Sequence, residues 1–308
     1  MDALQFISLL QQKLMVFDFY LRSLSSFGYS YHFLLFAGFL YWSGYKYLGA
    51  RLAIGTEIST TIFGTCRQFF DSPRPYWIYP ELYNDMSEKG MSEKAFGMPS
   101  GHTQNTVVLW GLLASTLKSR WLWALALLMI FSTALSRLYL GVHFPSQILV
   151  GISFGTIILF LIISLEQSFL NFLNIKTFWQ RCFIVLIACS LPLLTALFIR
   201  EILNWGVSSS ALFPYSKLSK FTGLFAGIGL GLLIAPAFGK PSMKLFFTQA
   251  LPGAVSVSLL YKLLPYLPQP EDFPELYYLF RWLEAFILAF WETGLWPVIY
   301  RKLVGNHS

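Results

Sequence analysis

The sequence predicts an all-α, polytopic membrane helix bundle of about nine transmembrane helices, preceded by an N-terminal interfacial amphipathic helix. Three observations carry this. Of the 308 residues 56% are hydrophobic and only 12% are charged, with a mean hydropathy of +0.57. A soluble domain of this length cannot hide so much apolar surface in one core. The apolar residues fall in runs separated by short polar or turn-rich stretches, and Trp and Tyr gather near the ends of those runs, where their rings suit a bilayer interface. The net charge of +7 then reads as an orientation signal, not as a nucleic-acid signal.

Residues 2–24 place Leu4, Ile7, Leu10, Leu14, Phe17 and Leu21 at helical spacing, broken by Gln11, Gln12, Lys13 and Arg22, which predicts an amphipathic helix lying in the interface. No cleavable signal is expected in the first 28 residues, which lack a small-residue cleavage site and carry Asp2 and Asp18. The first span is expected from about His32 to Leu48, where His32 has an interfacial polar role. A shorter second one, from Leu52 to Cys66, delivers Arg67 to the membrane surface. From Pro75 to Met98 the chain is polar and turn-rich, an aqueous loop. Further spans are expected at about 103–117, 121–138, 147–165, 181–200, 221–238, 245–264 and 276–300. In the seventh, Gly223, Gly227 and Gly231 recur every fourth residue, as where helices approach closely. Residues 1–200 read as a core with motif loops at 67–102 and 136–147, and residues 201–308 as a C-terminal extension of three transmembrane helices.

Lys46, Arg51, Lys118, Arg120, Lys176, Arg181, Lys240, Lys244, Arg301 and Lys302 collect at one set of span ends, which predicts that this side, with the C-terminus, is cytoplasmic. The other side mixes Lys89 and Lys94 with Glu81, Asp85, Glu88 and Glu93, and ends with Glu271, Asp272 and Glu275. The acceptor triplet Asn306-His307-Ser308 falls on the cytoplasmic side, where it is not glycosylated; this leans towards a bacterial inner membrane with the site facing the periplasm. Terminal His307 is expected to be mobile. Cys66, Cys182 and Cys189 sit in or beside apolar runs without metal-ligand spacing and are read as packing residues.

Three polar clusters interrupt this apolar chain. They are Arg67 with Asp71-Ser72-Pro73-Arg74-Pro75, then Pro99-Ser100-Gly101-His102, then Ser136-Arg137 followed by His143-Phe144-Pro145-Ser146-Gln147. All three fall on one side of the predicted bundle. A phosphoryl group in transfer carries negative charge on its equatorial oxygens, so a catalyst surrounds it with fixed donors and sets a nucleophile in line. Arg67, Arg74 and Arg137 supply guanidinium forks that match phosphate geometry. Ser100 and Gly101 open a span, where free N–H groups favour an anion and Gly101 lets the backbone approach. His102 can give a proton to the leaving oxygen, and His143 is the better candidate nucleophile, because an imidazole can form a phosphohistidine that water resolves. A lone Arg near a span end is usually a snorkelling anchor; three of them with two histidines and a Ser-Gly-His turn are not.

This triple motif resembles the type 2 phosphatidic acid phosphatase superfamily over about residues 50–165. The resemblance implies a membrane phosphatase that needs no metal or cofactor, with His143 as nucleophile, His102 as acid, and Arg67, Arg74, Ser100, Gly101 and Arg137 holding phosphate. Two positions depart from the family: Arg67 stands where the first motif usually has Lys, and Gln147 stands where the third usually has an Asp that bonds the nucleophilic His. A Gln carbonyl can accept that bond but brings no negative charge. Arg74-Pro75-Tyr76-Trp77 and the His143-to-Gln147 segment are also similar to glucose-6-phosphatases. The partners implied are the bilayer and a phosphorylated lipid or small phosphorylated substrate, with no nucleic acid. A lipid phosphate that enters laterally is the leading expectation. A sugar phosphatase, or a binder or transporter without turnover, are the alternatives. Outside the motifs, Glu57 and Glu292 are ionisable residues inside spans, and Arg281 and Glu284 are spaced to pair on one helix.

Overall fold

The computed structural model describes residues 3–28, 30–70, 72–82, 96–202, 215–235 and 240–305. Among these the chain is helical throughout, with no strand, as expected of a polytopic helical membrane protein. Most of the loop after Pro80, with Asp85, Glu88, Lys89, Glu93 and Lys94, and the triplet Asn306-His307-Ser308 lie outside the described residues.

The expected N-terminal helix is two: α1 (Ala3–Lys13) and α2 (Asp18–Phe27), joined by a tight turn at Met15–Phe17. Both pack on a later helix, α7 (Arg120–Tyr139), with Leu21 of α2 in one buried cluster with Tyr139, and Ile7 of α1 is fully buried. Arg22 caps the start of α2 from the next turn, its Nε 2.8 Å from Asp18 Oδ2. Next come α3 (Ser30–Trp42) and α4 (Lys46–Cys66). The first span is therefore shorter than expected and the second longer, because Gly44, at φ +97°, turns the chain in a left-handed conformation that favours glycine. After a single turn, α5 (Pro75–Ile78), follow α6 (Gly101–Leu117), α7, α8 (Pro145–Asn174) and α9 (Phe178–Leu197). The last part holds α10 (Ser216–Ile234), then α11 (Met243–Leu245), which runs through a π-turn into α12 (Leu251–Leu263). Finally α13 (Pro274–Phe290) passes through a second π-turn into α14 (Trp296–Gly305).

Five of these segments are long and apolar enough to cross a membrane: Arg120–Tyr139, Pro145–Asn174, Phe178–Leu197, Ser216–Ile234 and Met243–Tyr266. This corrects the expectation of about nine. The helix α3 has 13 residues, α6 and α13 have 17 each, and α4, with 21, carries Lys46, Arg51, Glu57 and the run Ser59-Thr60-Thr61. An apolar run in sequence does not distinguish a lipid-facing helix from one enclosed by others. Of these helices, α4 and α6 bury polar side chains against each other. Ser59 Oγ donates to Asn105 Oδ1 (2.7 Å), Asn105 Nδ2 to Thr60 Oγ1 (2.8 Å), and Gln104 Nε2 to the Ser59 carbonyl (2.8 Å).

Around this pair pack α3, α7, α8 and α10, and α10 in turn packs on α9 and α13. The expected close approach is present: Gly223, Gly227 and Gly231 of α10 lie against Trp282, Phe286 and Thr293, leaving no room for a side chain. Arg281 and Glu284 pair at 2.7 Å as their spacing predicted. Glu57 and Glu292 are buried, with Glu57 Oε2 and both Glu292 oxygens lacking a hydrogen-bond partner among the described residues. Cys66 and Cys182 are half-buried and Cys189 is buried, all as free thiols.

Candidate active site

Four helix ends meet at one point of the bundle: the C-termini of α4 and α7 and the N-termini of α6 and α8. The Ser100 N–H donates to the Gln147 carbonyl at 3.0 Å, which ties the start of α6 to the first turn of α8. Gly151, one turn further along α8, presses on the Ser100 backbone. These contacts set the loop residues 72–74 and 142–147 face to face across the start of α6.

His143 lies in that gap, 2% exposed. Its Nδ1 is 3.0 Å from Gln147 Oε1, and its Nε2 is 3.4 Å from a terminal guanidinium nitrogen of Arg74. The orientation of the Gln147 amide follows from its neighbours. Its Nε2 donates to the Pro73 carbonyl (2.8 Å) and to Ser72 Oγ (2.9 Å), while its Oε1 accepts from the Phe144 N–H (3.2 Å). A carbonyl only accepts and a backbone N–H only donates, so the oxygen must face His143. Nδ1 therefore carries the proton and Nε2 presents a lone pair. Gly97 packs against the amide so closely that a side chain there would strike it.

Burial holds the His143 pKa well below its ordinary 6.5, and the Arg74 and Arg137 charges push in the same direction against the smaller opposing effect of Gln147. At neutral pH the ring is uncharged, the form in which Nε2 is a nucleophile.

Arg74 is buried at the extended residue preceding Pro75, and its guanidinium also donates to the Val142 carbonyl at 3.0 Å. Arg137, 1% exposed on the last turn of α7, donates to Ser25 Oγ. Both guanidiniums act electrostatically on His102, which faces the same space from the first turn of α6. Ser100 is fully buried, with its hydroxyl 3.0 Å from Thr103 Oγ1, and Gly101 opens α6. Arg67 approaches from the end of α4: its guanidinium stacks 5.0 Å over the Phe63 ring, and that ring covers Gly101. The structure thus gathers His143, Gln147, Arg74, Arg137 and His102 directly, Ser100 and Gly101 through the α6–α8 contact, and Arg67 at the edge.

Sequence reasoning missed the supports. Ser72 and Pro73 hold Gln147, and Gln104 and Asn105 anchor α6; the polar pairs on α4 and α6 were a readable signal, being amides and hydroxyls inside apolar runs. Ser25 gave none, lying far upstream of every motif.

Comparison with known proteins gives matches at the level of sequence. Residues 45–170 match the family model described as PAP2 superfamily, a segment that contains all three motif clusters. The chain is 28% identical over 174 residues to "Lipid phosphate phosphatase delta" of Arabidopsis thaliana, an alignment covering 51% of this chain and 41% of that protein. It is 27% identical over 239 residues to "Glucose-6-phosphatase catalytic subunit 1" of Haplochromis xenognathus, covering 65% of this chain and 84% of that protein. The chain thus spans about two-fifths of the plant relative and most of the fish one. No solved structure matches.

Proposed function

We propose that this chain, whose residues 45–170 match the PAP2 superfamily, is an integral membrane phosphatase that hydrolyses a phosphate monoester or pyrophosphate through a phosphohistidine on His143, without metal or cofactor. The observation that carries the reading is the pairing of His143 Nδ1 with Gln147 Oε1, which leaves Nε2 as a lone-pair donor beside the Arg74 guanidinium. In the first step Nε2 attacks phosphorus, the bond to the leaving oxygen breaks, and His102 gives that oxygen a proton. In the second, His102 takes a proton from water as its oxygen attacks phosphorus, releasing inorganic phosphate and restoring His143. Arg74 and Arg137, with Arg67 at the edge and the Ser100–Gly101 backbone, offset the charge on the equatorial oxygens.

A lipid phosphate is the favoured substrate. The motif helices sit among apolar, membrane-length ones, and one relative is named for lipid phosphate. A sugar phosphate is the second reading, favoured by the longer match to the glucose-6-phosphatase subunit and by Gln147, which resembles those enzymes at the position where the superfamily usually has Asp.

We further propose that the site opens on the non-cytoplasmic face of a bacterial inner membrane, with the C-terminus in the cytoplasm. Supporting this, Lys46, Arg51, Lys118, Arg120, Lys176 and Arg181 lie at the ends of α4, α6, α7, α8 and α9 away from the site.

The test is phosphate release by detergent-purified protein in EDTA, from phosphatidic acid, phosphatidylglycerophosphate, undecaprenyl pyrophosphate and glucose 6-phosphate, with the His143→Ala variant alongside. Release that His143→Ala loses completely supports the phosphohistidine and selects the substrate class. Equal release by the variant would end the proposal, and folded protein silent on every substrate would leave binding or transport in its place.

A further inference from the structure

The site has a wall that the three motifs do not supply. It is the last turn of α2, outside the segment that matches the superfamily. Ser25, 3% exposed, touches both sides of the phosphate space: its hydroxyl accepts from Arg137, and its backbone carbonyl accepts from the His102 ring. Gly28, three residues on, lies against that same ring, and a methyl group added there would strike His102 Cδ2. The start of α2, and α1 before it, are bonded to α7 and to Leu82. Ser136 Oγ donates to the Leu21 carbonyl at 2.6 Å, Tyr139 Oη to Asp18 Oδ1 at 2.7 Å, and Gln11 Nε2 to the Leu82 and Tyr139 carbonyls at 2.7 and 3.0 Å.

We infer that Ser25 and Gly28 are positioning residues for His102: the Ser25 carbonyl holds one ring N–H, so the other ring nitrogen delivers its proton to the leaving oxygen, and Gly28 leaves the ring its space. The inference rests on the reading of His102 as the acid. The two histidines are then oriented alike, each by an oxygen on one ring nitrogen, Gln147 Oε1 for His143 and the Ser25 carbonyl for His102. When the P–O bond breaks, its electron pair stays on the leaving oxygen, which takes the outward-facing proton. The ring becomes neutral and keeps its other N–H on Ser25. A held ring spares the acid the search for its rotamer, which is where orientation contributes to rate.

Gly28→Ala tests this, because Gly28 has φ −74°, a conformation alanine adopts without strain, so the added methyl acts on the ring alone. Two substrates are compared: p-nitrophenyl phosphate, whose leaving group departs without a proton, and whichever alkyl phosphate the wild-type protein hydrolyses. Gly28→Ala is expected to lower kcat on the alkyl ester by about 10- to 100-fold and to change kcat on the aryl ester by less than about 3-fold. In a His102→Ala background the same change is expected to add nothing, as for two residues acting through one group. Equal losses on both substrates, or a further loss in the His102→Ala background, would reduce Gly28 to a packing role and overturn the inference. Imidazole 15N NMR of wild-type protein gives a reading without any Gly28 variant: across a pH titration the His102 nitrogen on Ser25 is expected to stay protonated while the other gains and loses its proton, and a neutral ring that shares its proton between both nitrogens overturns the proposal. Wild-type release of p-nitrophenol that is lost in His143→Ala checks the phosphatase reading separately. Absence of that release together with silence on all four substrates above removes the reading and this inference together.

Discussion

At the scale of single residues the candidate nucleophile depends on an amide whose two ends cannot be exchanged. Gln147 gives its N–H groups to Pro73 and Ser72 and its oxygen to His143. Gln147→Glu turns the donor facing the Pro73 carbonyl into an acceptor, leaving a buried clash of about 1–3 kcal/mol. Expressed in the transition state this is a loss of about 10- to 100-fold in kcat/KM, measurable beside an unchanged circular dichroism spectrum. Gln147→Asp restores the residue usual in the superfamily but is one methylene shorter; activity at or above wild type would show that a carboxylate can replace the amide here. The His143 pKa adds a pH prediction. The ordinary imidazole value is 6.5 and the buried one lies well below it, so as pH falls from 7 the ring stays neutral past 6.5. The acid limb of kcat/KM, read with a substrate that does not titrate in this range, is expected below pH 6.5; a limb at the ordinary value would contradict the burial. For stability the sign is the same. The unfolded chain protonates this histidine first, so its contribution to folding is present above about pH 6.5 and is lost as pH falls towards the lower folded value.

At the scale of elements, the α4–α6 pair is joined by amides and hydroxyls where a soluble bundle would use leucines. Asn105→Leu removes the acceptor of the Ser59 hydroxyl and the donor to the Thr60 hydroxyl at a buried interface, at an expected cost of about 1–3 kcal/mol, read as a lowered unfolding temperature in detergent. The α2–α7 contact is weaker at its edge. Arg22, by hydrogen bonding to Asp18, lowers the carboxyl pKa below 3.8, and Tyr139 adds to this. The link is therefore complete above that value and lost as pH falls through the lowered one. The pair is partly exposed and screened by solvent, so Asp18→Asn is expected to cost less than about 1 kcal/mol. If α2 carries His102 positioning, its effect on the alkyl phosphate is larger than its effect on stability. The break between α1 and α2 was not legible, since Leu14, Phe17 and Leu21 continue the helical period through it.

At the scale of the whole molecule the site end and the basic end of the bundle are opposite. Arg51 sits at the basic end, bonded to Glu166 at 2.7 Å and to Ser115 and Thr116 at 3.0 and 2.5 Å. In a background without the native cysteines, Ile78→Cys near the site is expected to react with an impermeant maleimide from the outside of intact cells. Ile175→Cys at the α8–α9 turn should react only after permeabilisation, and the reverse pattern would invert the proposed orientation. The composition and the apolar runs were enough to determine a helical membrane protein, because a bilayer demands that every backbone polar group be bonded within its own segment. The motif spacing was enough to nominate His143, His102, Gln147 and the arginines, since few functions need so many phosphate donors at helix ends. Where each helix begins and ends was not legible: α3, α4, α6 and α13 read as spans, until the helix bounds left five segments among the described residues long and apolar enough to cross a membrane. Tertiary structure alone decided the rest. It fixed the Gln147 amide, and it brought Ser25 and Gly28 onto Arg137 and His102, because hydrogen bonds between residues 74, 75 and 112 positions apart leave no periodicity in the sequence.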